Sequence, residues 1–599
     1  MTIERLARMT LLLPLSEKDA AFAGLQELGC VHLVAPPGRP ALGEGLPAAA
    51  ERSVTALRYL RGAPRRRRQV PASGDADFTA LVDEALANRD RRRRALARID
   101  ALEHRLAELA PFGDFPIPDA AALGGRRLWL FRLPIASVAS LENADGVGEA
   151  WQAVARDNRN AWIVVVARQR PALPVAGAVP VELGTQRLAA LEAERVETEL
   201  ELEAADAERH ALTRWIRTLE HRLTAIEDQA RLQEARTLHE AEGPLCRIDG
   251  WVARREAPRL EAWARGAGHA LHLEPVHRED DPPTLLRNRG PWAAGTDLVR
   301  VFTTPGYHDW DPSAAVLLSF ALFFGLILSD AGYAALLALL LLRYRRRLGA
   351  TAAGQRFLAL AGIVTGTAFA VGVLAGGWFG VAPPPDGLLG QLVLLDLDDH
   401  GEMMRLTLGI GVAHVLLGLA MQGLRAADAG GRLRAAGWGV ALCGAFAHGL
   451  IHGTALVPGV PTTITGAGLA VVVAGGALGG APASLPRRLG RGLAALRDVT
   501  RLFGDVLSYL RLFALGLASS ALAVTFNQLA ADAYREFVGG GVLLAAAVLT
   551  LGHGVNVALG VIGGLVHGLR LNLIEFLSWS LASEGRPFRR FAKKGRSGA

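Results

Sequence analysis

Two arginines stand inside long apolar runs near the end of the chain, Arg511 and Arg570. An arginine at the bilayer centre costs about 2.5 to 3.5 kcal/mol on insertion scales, so a pair retained there points to work on a charged species. Arg511 lies 14 residues beyond Arg497, and Arg570 lies 16 residues before Arg586. On antiparallel helices rising about 1.5 Å per residue, those intervals bring both guanidiniums to a similar depth, roughly 21 to 24 Å. His553, Asn556, Gly560, Gly563, His567 and Arg570 recur at spacings of 3, 4, 3, 4 and 3, which puts them on one helical face, polar or small throughout. The preceding apolar run offers Ser508, Arg511, Ala518 and Ser519, with Gly516 beside them, a surface that another helix can approach closely and move along. Snorkelling or a salt bridge is the plain alternative for either arginine alone; the matched pair favours an ion path. Asp330 is a further candidate, placed in Leu328-Ser329-Asp330-Ala331-Gly332-Tyr333 where two short apolar segments meet. Water entering at that break and an exposed turn are equal readings of it. His414, His448, His452 and Asn527 read as hydrogen bonds between helices.

The elements that must position these groups are membrane spans. About 20 helical residues cross a hydrocarbon core of roughly 30 Å. Apolar stretches of suitable length recur near 313–329, 331–342, 356–381, 403–424, 433–453, 461–481, 500–531 and 540–581, which predicts eight spans, the first two short and broken around Asp330 and Gly332. Residues 541–569 run without a charge, so the last two spans are expected to be long and steeply tilted. Basic clusters fall at Arg343 to Arg347, at Arg425 to Arg434, at Arg487 to Arg497 and at Arg586 to Arg596, in alternate loops. The intervening loop holds Asp386, Asp396, Asp398 and Asp399. The positive-inside rule then puts both termini in the cytoplasm.

The chain has 599 residues and is charge-uneven. From Ser313 onward there are 23 Lys+Arg against 13 Asp+Glu; the first 312 residues hold 42 against 45. The basic residues of the second half sit in clusters between apolar runs and form no stripe able to track a phosphate backbone, so nucleic acid is not an expected partner. Only Lys18, Lys593 and Lys594 are lysines, and none follows the glycine of a Walker A loop, so any ATP site must lie on a partner. Cys30, Cys246 and Cys443 make no Cys-x-x-Cys and no disulfide framework. His239-Glu240 lacks the second histidine of a zinc helix, and no cofactor or metal site is expected. Met1 to Ser16 lacks a secretory cleavage pattern.

Residues 1–312 read as a cytoplasmic arm. Arg8 to Leu13, Ser16 to Leu28, Gly29 and Cys30 to Val34 read as strand, helix, glycine stop and strand, a small α/β lobe over about 1–70. Helical stretches at about 75–110 and 185–237 follow, and the longer keeps a 3/4 seam from 188 to 230, broken at Arg195, Thr198 and Arg209. With Leu96, Ile99, Leu102, Leu106 and Leu109 opposite, an antiparallel coiled coil is predicted. A second lobe is expected from 115–183, with strands at Leu128 to Leu133 and Trp162 to Val166, completed by 244–280 with Leu245 to Val252 and a helix around Arg259 to Arg265. Arg65 to Arg68 and Arg91 to Arg94 read as solvated faces. The eight-span domain then covers 313–585, and 586–599 is a basic tail.

Together these features resemble subunit a, also called subunit I, of the vacuolar/archaeal-type rotary ATPases in a bacterial version. Ser508-Tyr509-Leu510-Arg511-Leu512-Phe513-Ala514-Leu515-Gly516-Leu517-Ala518 is similar to that family's seventh-span signature, and His567-Gly568-Leu569-Arg570-Leu571 with Glu575 to its eighth. Supporting marks are Asp330-Ala331-Gly332-Tyr333, Pro282-Pro283-Thr284-Leu285-Leu286, Asp249-Gly250-Trp251-Val252 and Arg586-Pro587-Phe588. The resemblance covers essentially the whole chain. It implies a non-catalytic stator in the bacterial inner membrane, forming ion half-channels against a rotating proteolipid c-ring of K/L type. The arm would anchor peripheral stalk subunits of E/G type, beside a central-stalk cap subunit of C/d type. Arg511 would be the ring-facing arginine with Arg570 its partner; His567 and Asp330 would line the outer half-channel, and Glu575 would be a relay nearer the cytoplasm. Ser508, Ser519 and Asn556 complete the expected ion-path set, with lipid around it. The chain departs from eukaryotic members at Ser519, where they carry histidine, and at Gly560, where they carry glutamate.

Two other classes compete. A secondary transporter or channel with a cytoplasmic coiled-coil regulator would also suit buried Arg, His and Asp, but it predicts broken spans repeated in two halves, and the one clear break is at Asp330. A membrane-anchored interaction protein would explain the arm and leave Arg511 and Arg570 without a role. Whether the ion is a proton or sodium is not written in these residues.

Overall fold

The structure is a computed structural model and describes residues 3–39, 48–70, 77–116, 118, 123–142, 147–277, 279–395, 399–426, 428–453, 455, 457–480, 484–536 and 540–594. Asp396, Asp398 and Arg596, used above for orientation, lie outside the described residues. Two compact units divide the chain, one of Met1–Ala41 with Leu238–Ala599 and one of Leu42–Thr237.

The first unit opens with β1 (Leu6–Pro14), α1 (Lys18–Leu28) and β2 (Val31–Leu33). Alternate burial along β1 follows the two-residue period of a strand. Gly29 stops α1 in the left-handed region at φ 65°, where its N–H reaches the Leu25 carbonyl.

The second unit runs through α2 (Ala48–Arg61), α3 (Phe78–Leu109), β3 (Arg127–Pro134), α4 (Val138–Glu142), β4 (Ala150–Arg156), β5 (Asn160–Ala167), β6 (Val179–Val181), α5 (Leu188–Leu212) and α6 (Ile216–Ala235). Its antiparallel sheet has the order β4-β5-β3-β6. Phe131, Leu133, Ile163 and Val165 pack under α4 through Val138 and Leu141. Helices α3 and α5 run antiparallel, since the Asn88 amide donates to the Ala205 carbonyl at 3.0 Å and Arg98 meets Glu194. Asn88, Ala95, Leu102 and Leu109 are buried on α3, and Leu191, Thr198, Ala205 and Leu212 on α5. Each set recurs every seven residues, the interval that holds one seam against a partner helix. The seam's polar exceptions are absorbed locally: Thr198 donates to the Glu194 carbonyl, Arg195 pairs with Glu199, and Arg209 donates to the Tyr59 carbonyl with its guanidinium 4.4 Å from that ring.

The long stretch expected over 185–237 is interrupted by a 3-10 turn at Thr213–Trp215. Thr213 accepts from the Arg67 N–H, and its carbonyl accepts from the Gln69 amide, so a crossing segment takes up groups that a straight helix would use. Helix α2 also departs from expectation. Read as part of the first lobe, it packs instead with Val82 and Ala85 of α3 and Ile216 and Leu219 of α6, through Ala50, Leu57 and Leu60.

Back in the first unit come β7 (Glu240–Glu242), β8 (Leu245–Ala253), α7 (Ala257–Gly266) and β9 (Ala270–Pro275). Their strands correct the assignment of 244–280 to the second lobe: they close the first sheet, in the order β2-β8-β1-β9 with β7 against β8. The whole of β1 pairs with β8, from Leu6↔Ala253 to Pro14↔Leu245. The buried side chains of Leu11, Leu13, Cys246 and Ile248 form one apolar face. Gly250 lets β2 approach, because a Cβ there would lie 2.8 Å from the His32 carbonyl oxygen.

The tail returns to this lobe. The Phe588 N–H donates to the Thr284 carbonyl at 3.0 Å, the Arg589 N–H to His32 Nδ1 at 2.9 Å and the Phe591 N–H to the Val31 carbonyl at 2.7 Å. Arg590 grips Glu256 with both terminal nitrogens, at 3.0 to 3.1 Å. Burial, then the nearby Arg586 charge, holds His32 down to about 4. Its folded value therefore lies below the ordinary 6.5, so the unfolded or undocked state binds the extra proton first. Docking is fully present above about pH 6.5 and weakens as pH falls toward about 4, because protonated Nδ1 no longer accepts from Arg589. Hydrogen exchange at the Arg589 and Phe591 amides is expected to quicken across that window, and His32→Gln is expected to flatten the dependence.

Helix α8 (Trp292–Arg300) leads into α9 (Ser313–Leu328), α10 (Ala331–Leu348), α11 (Ala352–Leu374), α12 (His400–Arg425), α13 (Ala429–His452), α14 (Val460–Leu478), α15 (Leu485–Ala494), α16 (Asp498–Leu507), α17 (Leu510–Glu536), α18 (Gly541–Arg570) and α19 (Leu577–Ser580). Six helical stretches among the described residues are long and apolar enough to cross a membrane: α11, α12, α13, α14, the run Leu485–Glu536 and the run Gly541–Ser580. The other two expected spans differ: α9 is an apolar helix of 16 residues, and α10 ends in Arg343, Arg345, Arg346 and Arg347. Ser329, at φ 47°, breaks the chain between them.

Helix α9 is the centre of the bundle, with Val316, Leu317, Phe320, Phe323 and Ile327 buried. Helices α17 and α18 close on it through glycine. A Cβ on Gly516 would lie 2.6 Å from the Leu326 carbonyl oxygen, and one on Gly564 would lie 2.6 Å from the Phe324 ring. The small residues beside Arg511, read as a moving contact, thus include one that is fixed against α9. Gly516→Val is expected to cost about 1 to 3 kcal/mol through overpacking against rigid backbone, read as a lowered melting temperature of the purified chain; unchanged melting would show that α9 yields.

Candidate functional site

Helices α9, α10, α17 and α18 bring polar side chains together in two clusters. In the first, the Asn556 amide donates to Tyr333 Oη at 3.1 Å and to the Ser519 carbonyl at 2.8 Å. The Ser519 hydroxyl returns a bond to Asn556 Oδ1 at 3.4 Å. Tyr333 Oη meets His553 Nδ1 at 2.6 Å, His553 Nε2 meets Asn527 Oδ1 at 3.0 Å, and the Asn527 amide donates to the Phe379 carbonyl at 2.8 Å. Asn556 is 1% exposed, so each missing partner would leave a buried polar group unpaired, at about 1 to 3 kcal/mol. Ser519 and Asn556 are therefore brought together, which sets Ser519 apart from the Arg511 face on which the sequence reading groups it.

Asp330 borders this cluster by a different route. It caps α10, its Oδ1 accepting from the Tyr333 N–H at 2.9 Å, while Oδ2 accepts from the Gly380 N–H at 3.2 Å. It is buried, not an exposed turn residue. Its carboxylate orients Tyr333 through the backbone, since both of these bonds come from main-chain N–H groups. Tyr333, His553 and Asn527 stand outside the ion-path set expected from the sequence. The aligned polar face of α18 carries a signal for His553; Asn527 reads as an ordinary bond between helices, and Tyr333 figures only within the break motif.

The second cluster lies about 21 Å along α18 from Asn556, at 14 residues further on. Arg570 ends α18 and is followed by a π-turn over Leu571–Phe576. In an α-helix, residues five apart point about 140° away from each other, whereas the wider turn of i→i+5 bonding brings them to within about 50°. The π-turn thereby sets Glu575 Oε1 3.7 Å from Arg570 Nε. Buried Asn572 holds the turn, donating to the Gly568 carbonyl at 2.9 Å and accepting from Ser319 of α9. The Glu575 side chain is 3% exposed while that of Arg570 is 52% exposed. Glu575 Oε2, Arg511 Nη1 and His567 Nδ1 are buried with no hydrogen-bond partner among the described residues.

Arg511 opens α17 just after a break at Ser508-Tyr509. Tyr509 is fully buried and anchors the break through His414, Oη to Nδ1 at 2.8 Å, with the His414 ring stacked on Phe576. The Ser508 hydroxyl donates to the Gly504 carbonyl at 3.0 Å, so it serves the helix end and does not reach Arg511. Ala514, Ala518, Ala521 and Thr525 are exposed along the Arg511 side of α17, at spacings that keep them on one face, while Ser519 is buried behind it. The chain thus holds a carboxylate and unpaired guanidinium and imidazole nitrogens at one depth, and a closed hydroxyl, imidazole and amide network at another. Such groups bind, hand on and repel small ions; no nucleophile with its base is assembled among them.

Fold and site define a multi-pass helical membrane protein that also carries two α/β sheets. More particularly, the chain is homologous to subunit I of the V-type and A-type ATP synthases. It is 28% identical over 499 residues to V-type ATP synthase subunit I of Chlamydia pneumoniae, across 69% of this chain and 72% of that protein. With A-type ATP synthase subunit I of Methanocaldococcus jannaschii it shares 28% identity over 448 residues, across 66% of this chain and 63% of that protein. The solved cytoplasmic N-terminal domain of subunit I, homolog of subunit a, of V-ATPase matches with 16% identity and a TM-score of 0.21, over 45% of this chain and 99% of that one. No protein-family model matches the chain.

Proposed function

We propose that the chain is the membrane stator of a V/A-type rotary ATPase, with eight spans, the last two tilted, forming ion half-channels against a rotating proteolipid ring. The observation that carries this reading is Arg511: its Nη1 is buried without a partner among the described residues, beside an exposed face of small residues. A guanidinium so placed is short of a carboxylate, and a ring of subunits with intramembrane carboxylates supplies one at each step. The fixed positive charge lowers the pKa of the arriving carboxylate, favours release of its ion and blocks a short circuit between the two half-channels.

In this mechanism the network of Tyr333, His553, Asn527, Asn556 and Ser519 serves one half-channel, with Asp330 positioning Tyr333. Glu575 relays ions in the other and is held by Arg570, while His567 stands between. The antiparallel coiled-coil arm of α3 with α5 and α6 holds the peripheral stalks against the torque of rotation. ATP is made or hydrolysed on partner subunits.

Copurification tests the reading. Mild detergent extraction of the tagged full-length chain is expected to retain a proteolipid ring and nucleotide-binding subunits in fixed proportion. A chain that emerges alone, yet moves a solute when reconstituted, would replace the stator with a transporter.

A further inference from the structure

Helix α15 presents a face that nothing among the described residues covers. Leu485, Leu489 and Leu493, four residues apart, are 70%, 54% and 57% exposed. They share one side of the helix, while Arg487, Arg488 and Arg491 occupy the opposite arc. Gly492 ties α15 to the end of α14, where an added Cβ would lie 2.6 Å from the Val473 carbonyl oxygen. On the arginine side, Arg488 Nε donates to the Ala477 carbonyl of α14 at 3.2 Å, so the arginine arc is turned to the bundle and the exposed leucines away from it. The surroundings are strongly basic: between Asp428 and Asp498 the sequence has no acidic residue and holds six arginines. A cavity of about 420 Å³ at this end of the bundle is lined by Arg434, Arg491 and Arg497, with Asp428 and Asp498. The Asp428 carboxylate is already taken up by the N–H groups of Gly431 and Gly480, at 3.1 and 3.4 Å.

We propose that α15 lies in the membrane interface, its leucines sunk into the acyl boundary and its arginines, with Arg434 and Arg497, holding the phosphates of anionic lipids. An exposed leucine stripe backed by arginines is the pattern of a helix lying in the bilayer plane. A neutral lipid would satisfy the leucines alone; an anionic headgroup also answers the arginines, which a negatively charged leaflet attracts. The inference rests on the membrane spans and is independent of the rotary reading.

The test uses the full-length chain with Cys443→Ala and Leu489→Cys, labelled with a nitrobenzoxadiazole fluorophore in phosphatidylcholine nanodiscs. These contain an equal fraction of spin-labelled lipid, either phosphatidylglycerol or phosphatidylcholine. Both lipids are expected to quench, the anionic one at least about twofold more, as local enrichment around a basic segment requires. The excess is expected to fall by at least about half in R487Q/R488Q/R491Q, where Arg434 and Arg497 remain, and to persist in R487K/R488K/R491K, which keeps the charge and controls for misfolding. Absence of quenching by either lipid, meaning that water or a partner protein covers the stripe, would overturn the proposal. Equal quenching by the two lipids would overturn it as well.

Discussion

Arg511→Ala is expected to reduce ATP-driven ion uptake at least about a hundredfold in vesicles carrying the assembled complex. A unit charge about 4 Å from a carboxylate contributes about 4 kcal/mol at an effective dielectric near 20, equivalent to about three pKa units. In the proposed stator, a ring carboxylate without this charge beside it would hold its ion while passing, and the two half-channels would no longer be separated. Arg511→Lys keeps the charge and loses the planar fork, so a partial defect is expected. The ring must still copurify with each variant, because the packing of α17 depends on Leu512, Gly516 and Ser519, which are buried, and not on the guanidinium. Full uptake by Arg511→Ala would return the residue to a structural role.

Glu575→Gln is expected to slow uptake at least about tenfold, the lower end of what a positioned proton-transfer group contributes being larger still. The substitution keeps the shape of a side chain that is 3% exposed and removes only its charge and proton affinity. Arg570→Ala should be milder if Glu575 is the relay, since the arginine then serves to hold it. Asn572→Leu separates position from charge: it removes the bonds to Gly568 and Ser319 that fix the π-turn, turns Glu575 away from Arg570, and is expected to reproduce the Glu575→Gln defect with the carboxylate still present. Uptake is the readout for all three, with ring retention as the control for assembly.

The parts of this molecule legible in its sequence are those set by local pattern. Gly29 ends α1 and the alternation over Arg8 to Leu13 marks β1, because a left-handed cap and a two-residue period are short-range properties. The pairing of β8 with β1 is not legible, since the strands are far apart along the chain and nothing in either names its partner. Nor is the π-turn, which exists because Asn572 meets Ser319 of a helix distant in sequence. Without that turn, the interval from Arg570 to Glu575 implies opposite sides of a helix, and the ion pair is hidden. Tyr333 escapes notice as a site residue for the same reason, since its partners His553 and Asn556 lie 220 and 223 residues on.

In the proposed stator, the Arg511 side of α17 faces the rotating ring. Cysteines placed singly at Ala514, Ala518 and Ser519 in the assembled complex, each paired with a cysteine beside the ring carboxylate, test this by disulfide cross-linking. Positions 514 and 518 are exposed on that face and 519 is buried behind it, so adducts are predicted at the first two and not at the third. An intact complex that forms no adduct at 514 or 518 would contradict that arrangement.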